Sequence, residues 1–293
     1  MNRKLILSLA ITICLLAVAG CKDASDSTQS EATGQEVTSE SFNATPVQHA
    51  DVNGVILGYR EFGSGKRKPL LMITGFGDIM DNWNKEFIGI LAKKYHVYTY
   101  DHRDMGYSTK YIPDNATKPE PSISQYADDA AALMIKLGHK SMHVYGVSMG
   151  SSISQQLVID HPHCVRKLVL SSNSYIVNNV ITPDLFTMVT KILQDNSVSE
   201  GIHRQAQAIL GWAGCWAGLA GIDKDKDVML LVGTNDVLTP DSISVEMSRQ
   251  IFGSWLVRFK GISHAGSNFA PVAYGQCVLT FLGVDESPEL VRT

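Results

Sequence analysis

The chain has 293 residues, of which 44% are apolar and 18% charged, with a formal net charge of −4. That composition excludes a disordered protein and provides for one large hydrophobic core, or at most two domains. No run of five or more basic residues occurs, which argues against nucleic acid as a partner.

In chain order, Asn2-Arg3-Lys4 precedes an uncharged, mostly Leu, Ile and Ala stretch from Leu5 to Gly20 that is short for a bilayer crossing and reads as a signal peptide over residues 1–20. Its end, Val18-Ala19-Gly20-Cys21, resembles the lipobox of bacterial lipoproteins. The resemblance implies a diacylglyceryl group on the Cys21 thiol and cleavage just before it; the alternative is an uncleaved anchor in which Cys21 is incidental. Loss of Arg3 and Lys4 takes the net charge to −6, and two or more acyl chains would hold the protein on a membrane of the bacterial cell envelope. Lys22 is not the Asp that retains such proteins at the inner membrane, so the outer membrane is favoured. The remaining cysteines, Cys164, Cys215 and Cys277, have no metal-site spacing and read as small buried hydrophobes.

From Lys22 to about Thr45, Ser, Thr, Gln and acidic residues dominate. Such a segment cannot offset its ordering entropy by burial, so residues 21–46 read as a lipidated N-terminus and flexible linker. A folded domain is expected over 47–286, followed by a short tail at 287–293.

Within that domain, His49 to Arg60 reads as a hairpin about Asn53-Gly54, and Leu70 to Thr74 as a buried strand ended by Gly75-Phe76-Gly77. The segment Gly63-Ser64-Gly65-Lys66-Arg67-Lys68 is expected to be a hairpin loop. Trp83, Phe87, Ile90, Leu91 and Tyr95 recur with helical spacing, a strand runs from His96 to Tyr100, and Ser124 is expected to cap a helix that Gly138 ends. Further strands are Met142 to Val147, Leu168 to Ser172, Val228 to Val232 and Trp255 to Phe259, with a last helix from Val272 to Leu282. Strands alternating with helices predict an α/β fold with a mostly parallel central sheet and helices on both faces. Active sites on such sheets lie beyond the carboxyl ends of the strands.

The chemistry-bearing residues fall there. Gly146-Val147-Ser148-Met149-Gly150 stands between an apolar strand and a helix, so the glycines allow a tight turn that projects the Ser148 hydroxyl above the sheet. Asp236 follows the strand ending at Val232, and His264 follows the strand ending at Phe259. Ser148, Asp236 and His264 in this order resemble the α/β-hydrolase superfamily over about residues 48 to 284. Asp101-His102-Arg103-Asp104-Met105-Gly106-Tyr107-Ser108 is similar to that family's Asp-x-Arg-Gly-x-Gly-x-Ser, and His161-Pro162 through Leu170 to its His-Pro-x-x-Val-x-x-Leu-Val-Leu.

The resemblance implies Ser148 as nucleophile, His264 as general base, Asp236 as the orienting acid, and an oxyanion hole from the backbone N–H groups of Phe76 and Met149. Asp241 and Asp223 are alternatives to Asp236, and His102 could line the pocket; His96 begins a strand, and His49, His139, His143, His161, His163 and His203 lack a paired-acid signal. Two departures stand out. Thr74 replaces the family's His before Gly75-Phe76-Gly77, removing a side chain that braces the loop, and Asp104 replaces a Gly, so that turn is expected to take a different φ.

Between residues 175 and 226 the strand pattern gives way to helices, expected at Pro183 to Gln194 and Ser199 to Trp216. In the family an insert here is a small helical cap. Its Leu, Ile and Trp residues suit a small-molecule ester or carbonyl substrate with an apolar part, although they could equally pack the cap onto the body. No cofactor or metal is implied. The competing readings are a C–C bond hydrolase or cofactor-free haloperoxidase-like enzyme, and a non-catalytic binding lipoprotein on a hydrolase fold.

Overall fold

The computed structural model describes residues 39–63, 67–110, 120–222 and 226–284. Cys21 and the apolar stretch before it, Asp223, the tail at 287–293 and most of the expected linker lie outside the described residues. The linker reading is corrected at its end, where Ser39–Ala44 forms a short helix, α1. Phe42 is fully buried there and stacks on Phe62 with ring centroids 4.6 Å apart, while the Lys85 ammonium lies 3.9 Å over its ring. Arg60 also donates to the Thr45 carbonyl. One aromatic ring seated in a formed slot anchors a turn that polar composition alone would leave unfolded.

β1 (Gln48–Val52) and β2 (Val55–Phe62) pair antiparallel with Val52 opposite Val55. The turn between them holds Asn53 and Gly54 at φ 47° and 75°, the left-handed pair that matches strand twist in a two-residue hairpin. β3 (Pro69–Ile73) is followed by α2 (Lys85–Ala92) and β4 (His96–Tyr100). Because β4 lies between β2 and β3 in the sheet, β2 and β3 are not a hairpin, and that expectation for the loop after Phe62 is overturned.

Next come α3 (Ile123–Lys136), β5 (Met142–Val147), α4 (Met149–Asp160) and β6 (Val165–Ser171). The α3 N-cap is Ser122, whose Oγ accepts from the Gln125 N–H at 3.2 Å, two residues earlier than expected. Ser122 has the extended backbone a cap requires, whereas Ser124 is already in the first turn.

Three helices follow, α5 (Pro183–Leu193), α6 (Glu200–Leu210) and the one-turn α7 (Trp216–Leu219). The second expected cap helix is thus broken at Gly211, and Trp212 and Trp216 lie beyond the break. The chain ends its described part with β7 (Asp227–Gly233), α8 (Asp241–Gln250), β8 (Trp255–Phe259) and α9 (Pro271–Gly283).

The eight strands form one sheet in the order β1-β2-β4-β3-β5-β6-β7-β8. Pairing is antiparallel at β1-β2 and β2-β4 and parallel from β4 to β8. Strict alternation divides the core between the faces. Leu71, Ile73, Val144, Leu168, Leu170, Val228 and Leu230 pack with α3, α4, α8 and the cap helices. Leu70, Met72, Tyr145, Val147, Val169, Met229 and Leu231 pack with α1, α2 and α9. Burial on both faces explains why these strands read as continuous apolar runs.

Just beyond β4, His102 is buried between the rings of Tyr100 and Tyr126, at centroid distances of 5.2 and 5.3 Å. Its Nε2–H donates to the Thr74 carbonyl at 3.3 Å. Burial pushes its pKa down to about 4 from 6.5. The unfolded chain therefore binds a proton in this window that the folded chain refuses, so the stability linked to His102 is present above pH 6.5 and lost as pH falls toward 4. Between pH 7 and pH 5 the protein should lose about 2 kcal/mol of stability relative to a His102→Phe variant, measured by urea unfolding at each pH. An unchanging difference between the two across that range would contradict a neutral buried imidazole.

Candidate active site

The sheet delivers three expected residues to one place. Ser148 joins β5 to α4 with φ 56° and ψ −120°, a conformation strained for any residue with a Cβ. It is possible because Gly146 and Gly150 face each other with no room for side chains: a Cβ on Gly146 would meet the Gly150 carbonyl, and one on Gly150 the Ile73 carbonyl of the neighbouring strand. The Ser148 N–H donates to the Ser171 carbonyl at 3.0 Å, tying the turn to the end of β6.

His264 Nε2 lies 2.9 Å from Ser148 Oγ. On the other side of the ring, His264 Nδ1 is 2.9 Å from both Asp236 oxygens. His264 and Asp236 are both buried. The alternative acid Asp241 is at the start of α8, where it accepts from Arg258 Nε at 2.8 Å, and it has no bond to the histidine.

Asp236 is held by residues the sequence reading did not single out. Its Oδ1 accepts from the N–H groups of Leu238 at 3.1 Å and Thr239 at 2.9 Å, and its Oδ2 from the Thr239 hydroxyl at 2.9 Å. That is an Asx-type turn, whose local signal is an Asp followed three residues later by Thr. Burial alone would raise the Asp236 carboxyl, but the charge and hydrogen bond of His264 and the bonds from Thr239 outweigh it, so its pKa lies below 3.8. It is an anion at neutral pH.

Ser172, at φ 48° and fully buried, accepts from the Ala265 N–H through its hydroxyl at 3.0 Å and so fixes the loop that carries His264. The sequence reading ends the expected strand at Ser172, one residue beyond β6, and gives no sign of its contact with a residue far along the chain.

The two backbone groups expected for an oxyanion flank the serine. Met149 opens α4, where helix geometry leaves its N–H without an intrahelical acceptor. Phe76 follows Gly75, whose Cβ position is 3.3 Å from Ser148 Cβ, and among the described residues the Phe76 N–H meets no acceptor. His102 is buried and donates to the Thr74 carbonyl at the start of that loop. Asp104 keeps φ at 67°, the region a glycine would favour, so the expected change of conformation does not occur; an ion pair from Arg204 at 3.3 Å holds it there. Of the remaining histidines, His96 and His161 do have acid partners: His96, at the start of β4, pairs with Glu61, and His161, at the far end of α4 from Ser148, with Asp128 of α3.

The cap residues Leu185, Val189 and Ile209 join the same apolar cluster as Met149, with Phe76, Met188 and Leu238 packed against it. The tryptophans turn toward the body instead. Trp212 donates to Gln156 of α4 at 3.1 Å, and Trp216 packs on Tyr175 at 4.6 Å. Cys164 and Cys215 are buried, Cys277 is half-buried, and all three are free thiols. Among the described residues no group of three or more His, Cys, Asp or Glu side chains is arranged to hold a metal ion.

A family model described as alpha/beta hydrolase fold matches residues 68–215. Rhodomycin D methylesterase DauP of a Streptomyces species is 35% identical over 126 residues, which cover 43% of this chain and 41% of that protein. The chain spans about half the length of the first curated relatives it matches. Among solved structures, a hydrolase from Pseudomonas aeruginosa PA01 has a TM-score of 0.70 at 20% identity, covering 81% of this chain and 98% of that one. A membrane phospholipase A described as a bacterial virulence factor has a TM-score of 0.64 at 20% identity, covering 96% of each chain. The family match takes in half of the chain, from the start of β3 through the turn at Ser148 to the cap, and the chain belongs to the α/β-hydrolase fold family.

Proposed function

We propose that the protein is a serine hydrolase that cleaves an ester or similar carbonyl compound with an apolar part through an acyl-enzyme on Ser148. The observation that carries this reading is the unbroken hydrogen-bond chain from Ser148 Oγ through His264 to Asp236, every link 2.9 Å. Ser148 Oγ attacks the carbonyl carbon as His264 Nε2 takes its proton, and Asp236 holds the Nδ1–H tautomer and stabilises the imidazolium. The oxygen that gains charge sits between the N–H groups of Met149 and Phe76, which are fixed before the substrate arrives. The imidazolium returns the proton to the leaving alcohol, and water then attacks the acyl-enzyme with His264 again as base.

An apolar acyl or alkyl group is favoured by the Leu, Val, Ile and Met side chains that the cap and Met149 contribute to one cluster. Ester cleavage is also what the name of one relative, a methylesterase, gives for that protein. Ser148→Ala should abolish both hydrolysis of a short-chain nitrophenyl ester and labelling by a fluorophosphonate, with turnover falling about 10⁴-fold or more. Full labelling of that variant would point to another nucleophile. Asp236→Asn should lower kcat by about 10⁴-fold, because the amide favours the wrong imidazole tautomer. Asp241→Asn should cost less than about tenfold, since its partner is Arg258. Reversal of those two effects in steady-state kinetics would move the acid to Asp241.

The protein is also a lipoprotein on this reading, held on a cell-envelope membrane, the outer one favoured, by acyl chains on Cys21. Support comes from Asn2-Arg3-Lys4, the apolar run and Val18-Ala19-Gly20-Cys21 standing in order. Cys21→Ser should leave an unprocessed precursor and remove the mature form from the membrane fraction. A mature-size, membrane-bound Cys21→Ser protein on a fractionation blot would sink the anchor.

A further inference from the structure

The segment from Thr74 to Gly77 carries one of the two N–H groups assigned to the oxyanion, and apart from the Phe76 ring packed on the apolar cluster it has no large side chain to hold its peptides. Thr74 stands where the family pattern has a histidine, and Gly75 and Gly77 have no side chains. The Phe76 N–H belongs to the peptide between Gly75 and Phe76. The Gly75 carbonyl, on the same peptide, accepts from the Asp78 N–H at 3.3 Å, and since a trans peptide points its C=O and N–H in opposite directions, the N–H faces the other way.

Two side chains from outside the loop hold the peptides on either side of this one. On the near side the Thr74 carbonyl accepts from His102 Nε2–H at 3.3 Å. On the far side the Gly77 N–H donates to Gln205 Oε1 at 2.7 Å. Gln205 is fully buried and comes from α6, a cap helix. That helix is itself seated on the body: a Cβ on Gly201 would meet the Asp104 carbonyl, and Arg204 pairs with Asp104 at 3.3 Å and Glu120 at 3.1 Å.

We infer that Gln205 and His102 are positioning residues that hold the Phe76 N–H on the developing oxyanion, making cap helix α6 part of the catalytic apparatus. The inference rests on the acyl-enzyme reading above. Without the Gln205 acceptor the Gly77 peptide is free to rotate toward another partner, and the Phe76 peptide, one bond away, turns with it. Hydrogen bonds to a transition-state oxyanion depend steeply on such placement, which separates this role from one in folding alone.

The test compares Gln205→Met, which keeps the length and loses the acceptor, with Gln205→Glu, which keeps an acceptor oxygen in the same place. His102→Phe keeps the ring between Tyr100 and Tyr126 and loses the donor. Each is measured for kcat and KM on a nitrophenyl ester, for affinity toward an aryl trifluoromethyl ketone, whose serine adduct bears the oxyanion, and for thermal midpoint. Gln205→Met and His102→Phe should each lose about 10- to 100-fold in kcat, less than the 10²–10³ that follows outright loss of an oxyanion donor. KM should stay within about twofold and ketone affinity should fall in step with kcat. Gln205→Glu should remain within about fivefold of the parent. A kcat for Gln205→Met within about threefold of the parent overturns the inference, as does a fall in kcat without a fall in ketone affinity. If Gln205→Met does not fold, His102→Phe carries the same decision at the other end of the loop. A parent protein that neither turns over esters nor labels on Ser148 is a different result, and it removes the acyl-enzyme reading together with this one.

Discussion

The left-handed backbone at Ser148 is the constraint on which the rest of the site depends. A non-glycine residue at φ 56° and ψ −120° costs on the order of 1–3 kcal/mol, and it persists only where its surroundings leave no alternative. Here the surroundings are the ends of four adjacent parallel strands. Gly150 packs against the Ile73 carbonyl at the end of β3, and the Ser148 N–H binds the Ser171 carbonyl at the end of β6. The next residue, Ser172, is itself left-handed; its N–H binds the Leu231 carbonyl of β7 and its hydroxyl binds the N–H of Ala265, a third left-handed residue. The strained turn at Ser148 and the loop that carries His264 are thus linked through one hydrogen-bonded row across the sheet.

Electrostatics follow from the same placement. Asp236 is buried, which by itself disfavours its charge, yet it accepts bonds from Leu238, Thr239 and His264 and stays ionised. In the proposed reaction, an anion held by these fixed donors has little to reorganise when positive charge arises on the neighbouring imidazole. That is the physical content of preorganisation at this pair.

Where physics is local, the sequence disclosed it. The strands β3, β5, β6 and β7, buried on both faces, were readable as apolar runs, and Ser148, Asp236 and His264 from their places after β5, β7 and the edge strand β8 together with the Gly-x-Ser-x-Gly pattern and the family's Ser, Asp, His order. The Asn53-Gly54 hairpin was readable for the same reason, since two positive φ values leave few choices of residue. What stayed hidden depends on partners distant in the chain. The order of α1 comes from Phe42 meeting Phe62, and the orientation of Trp212 from Gln156 on α4. A polar segment around one aromatic, or a tryptophan in a helical pattern, carries no mark of where such a partner will be. The break after Leu210 falls at Gly211, a few residues before the left-handed Gly214, whereas the expected helix followed the apolar spacing of Ile209, Leu210, Trp212 and Trp216.

The two departures from the family pattern have a common answer in space. Thr74 lacks the imidazole that would brace its loop, and His102, from the loop after β4, supplies one to the same backbone. Asp104 occupies a left-handed position suited to glycine, and its carboxylate repays the conformational cost through Arg204. Arg204 and Gln205 are adjacent on α6, so the residue that accommodates one departure and the residue that steadies the loop of the other reach the body on a single helix. Two substitutions that look independent along the chain are therefore coupled through the cap. A cap helix of different sequence or register would take the Arg204 guanidinium from the Asp104 carboxylate and the Gln205 acceptor from the Gly77 N–H together, and losing a hydrogen-bond partner away from water is costly.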